Sequence, residues 1–150
     1  MRRRTLLAFA AFVPMLALSG PALAGKAEID TGAMEGIALG GNDAVSYFAN
    51  APVKGSDEFS TDWKGAKWKF TSAANRDAFV AAPDKYAPQY GGYCAYAVSK
   101  GATAPGDPAV FTVQDGKLYM NFSPAVQVTW KQDVPGNITK ANGNWPKVLE

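Results

Sequence analysis

Alternating side chains on either side of two short turns constrain this fold more than any other feature of the chain. Between Phe59 and Phe70, a two-residue turn at Lys64-Gly65 pairs Trp63 with Ala66, Thr61 with Trp68 and Phe59 with Phe70. Those pairs share one face, and Ser60, Asp62, Lys67 and Lys69 share the other, because successive strand side chains point to opposite sides. A slip of one residue would turn the whole aromatic set into water, so the register is strongly specified. Asp62 and Lys67 then oppose each other on the wet face, a pair worth at most about 1 kcal/mol. The second run, Val110 to Phe122, turns at Asp115-Gly116, a dipeptide suited to a type I′ turn. It pairs Val113 with Leu118 and Phe111 with Met120. Two hairpins with one apolar face each need something to cover them.

Helices supply that cover. Ser72 is placed to cap a helix from Ala73 to Ala82, with Phe79 facing inward and Pro83 ending it. A helical turn is expected near Asp84 to Tyr86, and another helix from Tyr93 to Ser99, ending near Gly101. Ser123-Pro124 reads as a cap followed by proline at the first helical position, opening a helix through Trp130. Pro135 opens a last one, closed by Asn142-Gly143. Gly36 to Gly41 reads as a short strand, and Asn42-Asp43 as a cap for a helical turn through Val45 and Phe48. Strands and helices interleave and the strands come in hairpins. The pattern predicts a small single α+β domain with antiparallel sheet, not a doubly wound parallel fold.

The N-terminal 24 residues read as an export signal. Arg2, Arg3 and Arg4 precede a mostly apolar stretch from Thr5 to Leu18, too short to span a bilayer comfortably, and Ala22-Leu23-Ala24 has the small-x-small pattern of a cleavage site. Cleavage is expected between Ala24 and Gly25. Arg3-Arg4-Thr5-Leu6-Leu7 fits a twin-arginine signal as well as an ordinary Sec signal. Either route places the mature protein in the periplasm. Residues 25–35 are expected to form a loose arm, and residues 36–150 the domain. Three of the 15 basic side chains lie in the signal, leaving 12 against 13 acidic ones. No Lys/Arg run survives to mark a nucleic-acid surface. No second long apolar run is present, so no membrane association is expected after signal removal.

The chain has one cysteine and no histidine. Cys94 lies in Tyr90-Gly91-Gly92-Tyr93-Cys94, a segment rich in tyrosine with a glycine pair. On a helix, Cys94 would share a stripe with Tyr90, Ala97 and Val98, and Tyr86, Tyr90 and Tyr93 would share a face. A free cysteine is among the most buried residue types, which favours a packed core thiol. A reactive thiol needs a nearby cation or a helix N-terminus, and Lys85 and Lys100 are the nearest cations in sequence. Without histidine, a Cys-His catalytic pair is excluded. The tyrosines read either as core packing or as a pocket wall offering phenol hydroxyls. The adjacent glycines point to close backbone approach or to positive φ.

Ligand count supports metal poorly. Zinc sites draw mainly on cysteine and histidine. Copper(I) accepts soft ligands, so Cys94 with Met34 or Met120 could hold it if folding brought them together. Asp107 and Asp133 read as turn and cap residues.

Several stretches resemble the exported branch of the YHS-domain family. They are Gly41 to Phe48, Trp68 to Ser72 with Asn75 to Phe79, and Pro83 to Ala95, joined by Asp115 to Tyr119 and Asn144-Trp145-Pro146. The resemblance covers nearly all of the mature chain and implies a small α+β domain. Short YHS and TRASH-type domains carry Phe-Cys-Ser-x-x-Cys after the hairpin, with cysteines associated with metal. Here the same stretch reads Phe70-Thr71-Ser72-Ala73-Ala74-Asn75, so Thr71 and Asn75 stand where those cysteines would be. The resemblance therefore implies a scaffold and not a metal role. Three functions remain open: a non-enzymatic binding module that handles a small ligand or a soft metal such as copper through Cys94, a thiol-dependent redox or nucleophilic protein, and an interaction domain with a buried Cys94.

Overall fold

The computed structural model describes residues 25–150; the expected signal, with Ala24 at its expected cleavage site, lies outside them. Strands β1 (Ser56–Trp63) and β2 (Ala66–Phe70) form one antiparallel hairpin, and β3 (Phe111–Gln114) and β4 (Lys117–Met120) form another. Helices α1 (Ala73–Ala81), α2 (Pro83–Tyr86), α3 (Ala95–Ser99), α4 (Pro124–Lys131) and α5 (Val134–Asn144) pack around them. Short 3-10 segments at Ala38–Gly41, Ala44–Ala49, Gln89–Gly92 and Lys147–Leu149 complete the domain, which is small and α+β as the patterning predicted.

Both hairpins turn where their sequences require. Lys64 and Gly65 have φ of 49° and 78°, and Asp115 and Gly116 of 51° and 73°. Positive φ at both central residues matches the right-handed twist of the flanking strands. The second hairpin keeps the predicted register, with Phe111 opposite Met120 and Val113 opposite Leu118. The first pairs Trp63 with Ala66 and Thr61 with Trp68, but a bulge between Ser56 and Ser60 sets Ser56, not Phe59, opposite Phe70. Extra residues on one strand leave the ladder without partners there. Asp62 does face Lys67, yet the ion pairs of this hairpin are Lys69 with Asp57 at 3.0 Å and Lys64 with Glu28.

Four caps form as the side-chain chemistry dictates. Ser72 Oγ accepts from the Asn75 N–H at 3.1 Å, Ser123 Oγ from Val126 at 3.2 Å, and Asp133 Oδ1 from Gly136 at 3.0 Å. Asp43 Oδ1 caps the 3-10 helix Ala44–Ala49 through the Val45 N–H at 2.8 Å. Three expectations fail for one reason, which is that tertiary contacts override local pattern. Ala38–Gly41 is not a strand. It turns through left-handed backbone at Leu39 and Gly40, while Ile37 alone bridges Lys67 of β2. The helix expected from Tyr93 begins only at Ala95, with Cys94 as its cap. Helix α5 runs past Gly143 to Asn144.

Two apolar layers meet at β4. Leu118 and Met120 enter one, where Trp68, Phe70 and Phe79 stack with centroids 4.8 to 5.2 Å apart. Tyr119 enters the other, against Trp130 at 5.4 Å and Tyr90 at 6.1 Å. The hairpin was expected to bury one face; α3, α4 and α5 cover its second. Residues 25–35, expected to be a loose arm, contain no helix or strand but are fastened down. Ile29 is buried, the Asp30 N–H donates to Gly91 O at 2.8 Å, and Asp30 Oδ2 accepts from the Gly106 N–H at 2.7 Å. Buried backbone bonds of this kind hold a segment without regular structure.

Candidate functional site

The Tyr90 to Cys94 segment does not stay on one element. Tyr90 has φ +57° and Gly91 +63°, so the chain turns in a left-handed 3-10 conformation before α3. This breaks the common helical face expected for Tyr86, Tyr90 and Tyr93, and it separates Cys94 from the Tyr90 stripe. Left-handed backbone costs a bulky L-residue about 1–2 kcal/mol, so the turn is held by its contacts. The Tyr90 hydroxyl donates to Asn142 Oδ1 at 2.9 Å, and its ring lies 6.1 Å from those of Tyr119 and Trp145. Burial, with Tyr119 beside it, pushes its titration far above the ordinary tyrosine value. Tyr93 donates to Ala27 O at 2.8 Å, tying the arm to the turn, and burial followed by the nearby Asp30 also raises its titration.

The segment alternates in burial, with Tyr90, Gly92 and Cys94 buried and Gly91 and Tyr93 half-buried. Tyr90 and Gly91 line a groove of about 320 Å³. Gly92 turns inward toward Asp30, Gly106 and Met120. Cys94 is 1 % exposed, and its thiol donates to Asn121 Oδ1 at 3.6 Å. The Tyr96 N–H donates to the same oxygen at 3.4 Å, which keeps the amide oxygen on the thiol side. The Cys94 N–H is held by Ala104 O at 2.9 Å. Neither sequence-neighbouring cation reaches the sulfur as a bonding partner. Lys85 lies 5.1 Å over the Tyr86 ring, and Lys100 lies 5.0 Å over the Tyr96 ring. A thiol with this exposure is expected not to react with an aromatic disulfide reagent in the native protein and to react fully in 6 M guanidinium, on the order of the conditions that unfold a domain. Fast stoichiometric labelling of the native protein would contradict this placement.

The donor set around Cys94 does not fit a metal. Met120 neighbours Cys94 through a parallel backbone bridge, but Met34 is exposed, and among the described residues no three Cys, His, Asp or Glu side chains gather. One thiol engaged with an amide oxygen and one thioether fall short of the ligand count that copper or zinc sites use.

Thr71 and Asn75 have another role. The Asp43 side chain is fully buried, and its Oδ2 accepts from the Thr71 N–H at 2.9 Å, the Thr71 hydroxyl at 2.8 Å and the Asn75 amide at 2.8 Å. With Val45 on Oδ1, four donors converge on one carboxylate. Thr71 and Asn75 thereby hold the β2–α1 corner to the first 3-10 helix. The sequence showed Asp43 as a cap and Thr71 and Asn75 as replacements, but nothing in it joined the three.

The groove is assembled from separate segments. The turn of the first hairpin gives Trp63 and Lys64, the arm gives Glu28 and Ile29, and α2 gives Asp84. Lys117 comes from the start of β4, and Trp145 from the end of α5. Lys64 is bonded to Glu28 and lies 4.7 Å over the Trp63 ring. Its volume falls at the low end of small-molecule sites, about 300–1,000 Å³. No helix among the described residues is long and apolar enough to cross a membrane. No protein-family model, curated protein or solved structure matches this chain.

Proposed function

We propose that the chain is an exported, YHS-like, non-enzymatic binding module that holds a small ligand in the groove beside Tyr90 and Gly91. The groove itself carries the reading: about 320 Å³, walled by three aromatic rings and by charges of both signs. Concave sites with aromatic walls and a few placed polar groups are the usual form of a small-ligand site. Thiol chemistry has less support, because the one thiol is enclosed and donates to an amide oxygen. Soft-metal binding through Cys94 has less support for the same reason. The signal-like N-terminus supports a periplasmic location in this reading.

The test uses the indoles of Trp63 and Trp145, which line the groove. Backbone and indole N–H spectra of labelled protein would be recorded with the small-molecule fraction of a periplasmic extract. Saturable shifts at Lys64, Gly91, Lys117 and the Trp145 indole are the expected result. Shifts confined to residues around Cys94, or none at all, would count against a groove-binding module.

A further inference from the structure

Four charged side chains line the groove, Glu28, Lys64, Asp84 and Lys117, and only the first two are paired with each other. Glu28 and Lys64 neutralise each other, and Lys64 is further held over the Trp63 ring. Asp84 and Lys117 line the same groove, yet among the described residues neither is in an ion pair within 4.0 Å, and they do not pair with each other. Three other lysines lie over aromatic rings; Lys117 does not. Asp84 is presented by the first turn of α2, and Lys117 by the first residue of β4. Helix α2 packs on β4, so the two charges are carried by adjoining elements.

We propose that the groove takes a small zwitterion of the α-amino-acid or dipeptide class, with its ammonium group toward Asp84 and its carboxylate toward Lys117. This rests on the reading of the groove as a binding site. A ligand of one charge would satisfy one of the two residues and be opposed by the other, and a neutral ligand would leave both without a partner as water is displaced. A zwitterion answers both. The rings of Trp145, Tyr90 and Trp63 give its side chain an apolar wall, which favours an apolar or aromatic residue.

Tryptophan fluorescence and calorimetric titrations with phenylalanine, N-acetyl-phenylalanine, phenylalanine amide and maltose test this. Free phenylalanine should bind, and each blocked form should bind about two- to fivefold more weakly, since an exposed ion pair contributes up to about 1 kcal/mol. Asp84→Asn should abolish the preference for phenylalanine over its N-acetyl form, and Lys117→Gln the preference over its amide. Both side chains are exposed, so the variants should keep the native fold. Equal binding of free and blocked forms would overturn the zwitterion assignment. So would maltose binding in the groove in place of the amino acid, which would leave the groove as a binding site. If no compound, and no component of the periplasmic extract, shifts the groove resonances, the binding reading falls as well.

Discussion

Asp43→Ala is expected to lower the unfolding free energy by about 3–5 kcal/mol. Four donors converge on that carboxylate from three places in the chain: Val45 in the first 3-10 helix, Thr71 at the end of β2 and Asn75 in α1. Hydrogen bonds to a charged group contribute about 1.5–3 kcal/mol each, and removing the acceptor also leaves its donors unpaired. The Asp43 side chain is fully buried, so water does not replace it without opening the corner. Asn75→Ala removes one donor from a half-buried position and should cost about 1–2 kcal/mol. Urea denaturation checks both, with the midpoint falling and the slope unchanged. A loss below about 1 kcal/mol for Asp43→Ala would show that the carboxylate does not organise this corner.

Gly91→Ala should destabilise by more than about 3 kcal/mol and release residues 25–35 to proteolysis. A Cβ at this position would lie 1.7 Å from Glu28 O and 2.9 Å from Glu28 C. Both atoms are backbone, so no side-chain rotation relieves the clash. The arm would have to move, breaking the bond from the Asp30 N–H to Gly91 O. Gly116→Ala separates sterics from backbone conformation. Its φ is +73° and nothing lies within 4 Å of the added carbon, so only the left-handed penalty of about 1–2 kcal/mol applies. Thermal melts of the two variants, with timed proteolysis of the arm, make the comparison. Equal losses, with the arm still protected in Gly91→Ala, would mean that arm and turn are not in close contact.

The readable parts of this fold were local. Hairpin turns at Lys64-Gly65 and Asp115-Gly116, the caps at Ser72 and Ser123, and the stop at Pro83 each depend on residues within a few positions of one another. The glycine pair was read as a sign of close backbone approach, and Gly91 meets the Glu28 backbone. The candidate site was half legible. Tyr90 and Gly91 do border a groove, and the preference for a packed Cys94 agrees with its burial. The helical stripe through Tyr90 and Cys94 depended on a continuous helix, and left-handed backbone at Tyr90 interrupts it. The bulge in β1 was also missed, since alternation alone pairs Phe59 with Phe70 and carries no sign of extra residues.

The sequence by itself determined two antiparallel hairpins with their turns, an apolar face on each, where most helices start, and that the lone thiol has no histidine partner. These follow from backbone sterics and side-chain chemistry within a few residues. Only the tertiary structure decided which elements meet. It joined Asp43 to Thr71 and Asn75, 28 and 32 residues away, and Tyr90 to Asn142, 52 residues away. It covered both faces of β4, enclosed Cys94 against Asn121, and gathered five segments into one groove with two unpaired charges. Such pairings follow from how apolar faces share a limited interior, and no local pattern encodes which distant partner fills it.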